Sequence, residues 1–243
     1  MIDANRPWLA PLRPGLNEAL GVWAQGVSVS DALNGAAFGA HLATCPKDKP
    51  LRFVPQSALP DGEAYEAFIH RSGRIPTRDN RHDFFNGLVW LAQPALKQRL
   101  NDLQAAEIAR AGVGQQRGPL RDALTLFDEN GALLDAPAVL WQALQARDWT
   151  ALFITHRARW AQARLTIIGH ALLEKLATAP RKALTAHVLV GKALPGDALA
   201  MTPADWATKP FLPLPVLGVP GWWPVNEDPA FYDDAAVFRP PRR

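Results

Sequence analysis

Charged and polar side chains are concentrated just ahead of a strongly apolar stretch near the middle of the sequence. Arg78, His82, Asp83 and Asn86 come in close succession, and the apolar run 88–92 follows. On a helix, His82 and Asn86 share one face because they are four residues apart. Arg78 and the free backbone N–H groups of a helix start can hold a phosphate or carboxylate, and His82 can move a proton. The segment therefore predicts a site for an anionic substrate.

The same residues also have a purely structural interpretation. Asp83 is placed to cap the helix, Asn86 to hydrogen-bond a loop, and His82 to pair with a nearby carbonyl group. Buried polar groups need partners in either case, so the functional and the structural interpretations stand on an equal footing.

Two adjacent acids, Asp128 and Glu129, form a second candidate site. The segment 123–127 predicts a strand, and Asn130-Gly131 predicts a hairpin turn that returns at 132–134. Carboxylates at a strand end can hold a metal or a proton, because the strand is rigid and the turn is open. The Asp-Glu-Asn-Gly sequence is also ordinary turn chemistry, and that explanation is favoured.

A third candidate is the pair His170 and Glu174, which stand four residues apart in a segment rich in Leu, Ile and Ala. Two such ligands on one helical face can bind a divalent metal if others converge from elsewhere in the chain. The favoured alternative is that they continue a stripe through Arg159, Ala163 and Thr166 on the solvent face of an amphipathic helix. A divalent metal is therefore a cofactor that the sequence permits without requiring it.

Cap and breaker residues set the boundaries of the elements that would carry these side chains. Asp79 and Asn80 are good N-cap types, so a central helix is predicted from there to about Ala92, where Gln93-Pro94 stops it. Further predicted helices cover 16–23, 30–42, 61–70, 94–112 and most of 138–176, with a brief one from 202; further predicted strands cover 51–54 and 186–190.

The composition indicates a folded protein with unusual loops. Of the 243 residues, 48% are apolar, and the 22 prolines are close to twice the average share of about 5%. Prolines and aromatic residues are concentrated after Lys209, which predicts an extended strap, 210–243, packed on the core. No Gly/Ser linker divides the chain. The predicted fold class is α+β: one compact, mostly helical domain, 1–243, with a small antiparallel sheet or hairpin.

Several classes of protein are excluded or disfavoured. Cys45 is the only cysteine, so neither an intrachain disulfide nor a cysteine-rich zinc site is expected. The N-terminus does not have the pattern of a secretory signal, and no apolar run approaches the 18 or so residues of a membrane span. The common nucleotide-binding, nucleophile-elbow and zinc-protease motifs are absent. A soluble bacterial protein of the cytoplasm is predicted, and its net charge of +3 permits an anionic partner.

Four blocks of the sequence together resemble a family of uncharacterised proteobacterial proteins, the DUF3025 group. The blocks are Ile75-Pro76-Thr77-Arg78 through His82-Asp83 to Asn86 and Trp90; 121–129; 169–175; and 214–222 with Asn226-Glu227 and 231–234. The similarity extends from about Phe53 to Arg239. It implies a single family domain and brings no activity with it, but its blocks coincide with all three polar candidates.

The leading hypothesis is a hydrolase or transferase that acts on an anionic substrate, such as a phosphate-bearing one, with or without a divalent metal. Arg78 would hold the anion, His82 would move the proton, and nearby carboxylates would orient it or bind metal. The candidate catalytic residues are Arg78, His82, Asp83, Asn86, Asp128 and Glu129, and the candidate metal ligands are His170 and Glu174. The rival hypothesis is a non-enzymatic module that binds nucleic acid or protein, in which these polar residues are structural tethers.

Overall fold

The computed structural model describes residues 2–36, 51–112 and 118–240. Within these ranges the α-helices are α1 (Arg13–Trp23), α2 (Val29–Gly35), α3 (Tyr65–Ser72), α4 (Arg81–Ala92), α5 (Pro94–Ala111), α6 (Pro119–Asn130), α7 (Ala138–Ala146), α8 (His170–Thr178), α9 (Pro195–Leu199) and α10 (Pro203–Ala207). The strands are β1 (Arg52–Pro55), β2 (Arg74–Thr77), β3 (Gly131–Asp135), β4 (Arg164–Ile167), β5 (Thr185–Leu189) and β6 (Phe211–Pro215). The predicted α+β, mostly helical fold class is confirmed.

Two small sheets hold the helices in place. Strands β1 and β2 form a parallel pair, and the larger sheet has the order β4-β3-β5-β6. In that sheet β3 pairs antiparallel with β4 and parallel with β5, and β5 pairs antiparallel with β6. Ala132, Leu133 and Leu134 in β3 are completely buried, as expected for a strand covered on both faces.

Helix α4 lies at the centre of the molecule and packs on α1, α2, α5 and α8. Its start is fixed by Asn80, whose side-chain oxygen accepts a hydrogen bond from the Asp83 backbone N–H at 2.8 Å. Phe84, Phe85 and Leu88 are at most 1% exposed. The predicted boundaries of this helix are confirmed, and its apolar surroundings make it a rigid platform for the polar side chains of its first turns.

The predicted hairpin at 123–134 is wrong. Residues 123–127 lie inside α6, which starts at Pro119 and runs without a turn into β3 at Gly131. Pro119 favours a helix start, and Leu120, Leu124 and Phe127 then recur at helical spacing against the core. Asp128 and Glu129 are therefore in the last turn of a helix, not at a strand end.

The predicted helical run through 138–176 is only partly correct. Helices α7 and α8 are present, but residues 164–167 form strand β4, in which Leu165 and Ile167 face inward with the period of two typical of a strand. The stripe proposed for Arg159, Ala163, Thr166, His170 and Glu174 consequently does not exist. The predicted helix 30–42 is present as far as Gly35, and the rest of it, like Cys45, lies outside the described residues.

The C-terminal segment, predicted as an extended strap, contains regular secondary structure. It begins as β6, which extends the larger sheet, and continues through 3₁₀ turns at Pro224–Glu227 and Pro229–Asp233. Phe231, Tyr232 and Phe238 are buried against the core. Among the described residues, no helix is long and apolar enough to cross a membrane.

Candidate functional site

A cavity of about 340 Å³ lies where α3, α4, α5, α6 and α8 meet. The predicted site residues are drawn from three separate parts of the sequence, yet the fold brings them together here. Its lining includes Arg78, His82, Asp83, Asn86, Asp128, Glu129 and His170, and Glu174 lies against His82 just behind that lining. The three polar candidates are thus parts of one site.

Two glycines bring the end of α6 beside the start of α8. The Gly131 carbonyl accepts hydrogen bonds from the Ile168 and Gly169 N–H groups, both at 2.9 Å. A Cβ atom at Gly169 would lie 2.4 Å from the Cα of Asn130, so only glycine permits this approach. His170, the first residue of α8, is thereby held beside Asp128 and Glu129.

Three potential metal ligands converge at this junction. The Nε2 atoms of His82 and His170 are 3.1 Å apart and share a hydrogen bond, and Oε1 of Glu129 lies 3.7 Å from Nε2 of His170. One ligand atom from each of the three residues lies within 4.8 Å of the others. Two imidazoles and a carboxylate match the protein ligands of a catalytic zinc site.

Each imidazole also has a carboxylate on its far side. Nδ1 of His82 lies 3.4 Å from Oε2 of Glu174, and Nδ1 of His170 lies 3.7 Å from Oδ2 of Asp128. Neither contact is a hydrogen bond in this structure, but a carboxylate that accepts the N–H of a ligating histidine orients the ring and keeps its other nitrogen free for metal. Glu174 was predicted as a metal ligand beside His170, but in the structure it faces His82 from behind.

His170 is 4% exposed, so the favoured interpretation of it as a solvent-facing residue is wrong. Burial lowers its pKa to about 4, against the opposing effect of the Asp128 carboxylate. The imidazole is therefore neutral near pH 7, which is the form that binds metal.

The two acids of α6 differ in their protonation behaviour. Burial raises the pKa of Glu129. Burial also acts to raise the pKa of Asp128, but the charge of Lys97 and its hydrogen bond to Asp128 oppose this effect, and the net shift is downward. The Nζ atom of Lys97, a residue that is only 4% exposed, lies 2.5 Å from Oδ1 of Asp128. Asp128 is thus held ionised behind His170.

The family model described as "Protein of unknown function (DUF3025)" matches residues 51–203 and 192–242. The chain belongs to this family. No curated protein and no solved structure matches the chain.

The four sequence blocks of this DUF3025 protein serve two different purposes. The blocks at 75–90, 121–129 and 169–175 supply the predicted site residues that line the cavity. The block after 214 forms a separate network in which Arg157 donates hydrogen bonds to Asn226, Glu227 and Tyr232. We call these four residues the C-terminal clasp.

Arg78 is engaged with Asp83. Its Nε and Nη2 atoms donate to the two carboxylate oxygens of Asp83 at 3.1 and 2.8 Å, and its backbone N–H donates to Oδ2 at 2.7 Å. This bidentate pair fixes the chain as it enters α4. The role predicted for Arg78, that of holding a substrate anion, would compete with this pair.

Asn86 belongs to a relay of three side chains across the cavity. Its Oδ1 accepts from Lys97 Nζ at 2.7 Å, and its Nδ2 donates to the Tyr65 hydroxyl at 3.2 Å. Lys97 and Tyr65 were not predicted from the sequence. The only feature of the sequence that could have pointed to Lys97 is on α5, where the polar residues Lys97, Asn101 and Gln104 share one helical face.

Proposed function

We propose that this chain is a metal-dependent hydrolase whose metal is held by His82, His170 and Glu129. The observation that carries the proposal is the pair of Nε2 atoms at 3.1 Å, each on an imidazole with a carboxylate behind it. Two zinc–nitrogen bonds of about 2.0–2.1 Å at a near-tetrahedral angle separate the nitrogens by about 3.3 Å. The observed spacing agrees with that requirement.

The charge of the cavity supports a cation. Its lining contains the carboxylates of Glu66, Asp83, Asp128 and Glu129 but only two cationic side chains, Arg78 and Lys97. Excess negative charge in a partly enclosed site attracts a divalent ion and is costly without one. Imidazole and carboxylate ligands together suit zinc and its neighbours among the transition metals.

A metal bound by three protein ligands retains an open position, lowers the pKa of a water there to about 7 and polarises a substrate oxygen. The side chains around it have separable tasks. Asp128 and Glu174 orient the two imidazoles, and Lys97 keeps Asp128 ionised. The Tyr65 hydroxyl accepts from Asn86, and no acceptor for its own proton is found in the described part of the chain. Because burial raises the pKa of Tyr65, this proton stays available to a substrate oxygen.

An anionic substrate, as expected from the sequence, fits this site if the metal, and not Arg78, binds the anion. Arg78 is paired with Asp83, and Lys97 with Asp128, so neither cation is free to bind a second anion. An anionic or acyl oxygen of the substrate would instead occupy the open metal position. Transfer of the same group to an acceptor other than water would use the same ligands. A cytoplasmic location belongs to the same proposal and is checked by fractionation of cells.

The rival hypothesis of a binding module assigned a tethering role to the polar residues. Tethering of that kind is found in the C-terminal clasp, where Arg157 and Asn226 join two segments of chain. Those residues do not line the cavity. The tethers therefore do not explain why His82, Glu129 and His170 converge in the cavity, and the hydrolase proposal accounts for that convergence.

Titration of chelator-treated protein with zinc, followed by calorimetry, tests the proposal. We expect one equivalent of zinc to bind in the wild type and not in His82→Ala. The matched control is His156→Ala, because this histidine lies outside the cavity lining. Zinc-loaded protein should then hydrolyse members of a panel of activated esters, anilides and phosphodiesters. Equal zinc binding by the wild type and His82→Ala would refute the proposed metal site, and a zinc-loaded protein inert toward the whole panel would count against the hydrolase.

A further inference from the structure

The part of the cavity wall formed by α3 and α5 is rich in hydrogen-bond acceptors that have no donor. Glu66 comes from α3, and Asn101 and Gln104 come from successive turns of α5. The side-chain oxygens of Asn101 and Gln104 have no hydrogen-bond partner in the described structure. These three residues are distinct from the metal ligands, which are on α4, α6 and α8. We call them the acceptor wall.

The orientation of Asn101 is fixed by a contact of its own. Its Nδ2 donates to the Glu66 carbonyl at 3.1 Å, so its side-chain oxygen is the atom that remains unsatisfied. Asn101 is 5% exposed and Gln104 is 6% exposed. Buried oxygens that lack a donor are rare in folded proteins, and each one calls for a specific explanation. A ligand that supplies donors is one such explanation.

Glu66 adds a charge to the acceptor wall. Its carboxylate takes part in no ion pair or hydrogen bond among the residues that the structure describes. It lies near enough to the Tyr65 hydroxyl to contribute to raising the pKa of that group. A carboxylate in a cavity wall, beside two unsatisfied amide oxygens, favours a ligand that is both cationic and a donor of several hydrogen bonds.

Among the described residues that line the cavity, no cation is left over for this wall. Lys97 donates to Asp128 and Asn86, and Arg78 is engaged by Asp83. The missing donors must therefore come from outside the cavity lining. Leu59, Ile69 and Leu100 also line the cavity and offer apolar surface to the stem of such a ligand.

We propose that the cavity takes a substrate carrying an amine or guanidinium group, which Glu66 pairs with and whose N–H groups Asn101 and Gln104 accept. This substrate class rests on the proposed function, because the same molecule would place its reacting oxygen at the metal. One end of the substrate is thus recognised as a cation, and the other end enters the hydrolytic site.

Calorimetry with two small probes of similar length tests the substrate class. Agmatine carries a guanidinium and an amine, and glutarate carries two carboxylates. Metal-free wild type, in which glutarate has no zinc to coordinate, should bind agmatine more tightly than glutarate, and Glu66→Gln should weaken agmatine binding by about tenfold or more, as expected for a hydrogen bond to a charged group. Gln104→Met removes one acceptor at similar volume and should weaken it by a smaller factor. Glu63→Gln removes the same charge nearby, from a carboxylate paired with Arg71, and should leave it unchanged.

Zinc stoichiometry, measured on each variant, separates this inference from the hydrolase proposal. Glu66→Gln and Gln104→Met should still bind one zinc, since neither residue is a ligand. If zinc does not bind but agmatine binding still depends on Glu66, the amine site is supported and the metal site is refuted. If zinc binds but agmatine affinity is the same in the wild type, Glu66→Gln and Gln104→Met, the amine site is refuted. Binding of glutarate to the metal-free protein as tightly as agmatine refutes it as well.

Discussion

The C-terminal clasp and the cavity are both networks of polar side chains inside an apolar framework, but they differ in how completely their hydrogen bonds are made. In the clasp, Asn226 is fully buried and its Nδ2 donates to the carbonyls of Leu217 and Val219, both at 2.8 Å. Arg157 donates to its Oδ1 at 3.2 Å. Tyr232 donates to the Gly218 carbonyl at 2.9 Å. Each polar group of Asn226 has a partner within the chain.

The cavity is the opposite case. Nδ1 of His170 and the side-chain oxygens of Asn101 and Gln104 have no hydrogen-bond partner in the described structure. Among the described residues, the Nε2 atoms of the two imidazoles have only each other as hydrogen-bond partners, at 3.1 Å, and the carboxylates of the lining outnumber its cations. A satisfied network stabilises the fold, whereas a partly satisfied one lowers stability unless something else binds there. We propose that this difference separates a structural block of the family from a functional one.

The largest expected effect is the loss of metal binding in His170→Leu. Mutation of a residue that only supports a metal ligand typically lowers metal affinity by about 10- to 100-fold. Removal of a ligand itself should therefore lower zinc affinity by more than about a hundredfold. The free energy of unfolding of the metal-free protein should fall by less than about 1 kcal/mol or even rise, because a poorly partnered polar group is replaced by an apolar one of similar size. Zinc calorimetry and urea denaturation in chelator measure the two quantities.

Asn226→Ala should show the reverse pattern. It leaves the buried carbonyls of Leu217 and Val219 without donors, which predicts a loss of about 3 kcal/mol in the free energy of unfolding. Zinc affinity should be unchanged, because Asn226 does not line the cavity. Urea denaturation measures the loss, and Asn17→Ala, at an exposed position of α1, is the control. A decrease in the free energy of unfolding of less than about 1 kcal/mol would show that the clasp does not stabilise the fold.

Acid should weaken the metal-free wild type more than His170→Leu. The pKa of His170 is lowered to about 4 in the folded chain, against about 6.5 when unfolded, so protonation favours the unfolded state. Its contribution to stability is fully present above about pH 6.5 and is lost as the pH falls toward 4, with a ceiling of about 3 kcal/mol. Urea denaturation across this range, in chelator, gives the difference between the two proteins. Parallel pH profiles would contradict the prediction.

Local signals made the platform of the site predictable. Asn80 is an N-cap type and Pro94 ends one helix while it starts the next, so the bounds of α4 followed from side-chain chemistry within a few residues. The same holds for β1, which is bounded by prolines in the sequence, and for α10, which begins at a Thr-Pro pair. The apolar residues of α4 then placed His82 at one end of a buried helix.

The assembly of the site was not predictable in the same way. The segment 123–127 has a strand-like composition, yet its burial against the core makes it helical, because tertiary packing overrides a weak local preference. The junction of α6 and α8 depends on Gly169 approaching Asn130, a contact between distant residues that no local pattern encodes. His170 was interpreted as exposed because the strand before it went unrecognised. Lys97 was missed because its acidic partner, Asp128, is on another helix.

The smallest effect, and the sharpest test of how the cavity is organised, is expected from Glu174→Gln. Glu174 lies 3.4 Å behind Nδ1 of His82 and is not one of the three converging ligands, so the substitution removes a charge behind the ring and leaves all three ligands in place. We expect the zinc affinity of this variant to fall by about 10- to 100-fold, with one zinc still bound. The zinc affinity of Glu129→Gln should fall further, because that substitution changes a ligand. Zinc calorimetry on the two variants compares them directly. If Glu174→Gln costs more affinity than Glu129→Gln, then Glu174 is the ligand and Glu129 is the supporting residue, which would restore the role that the sequence suggested for Glu174.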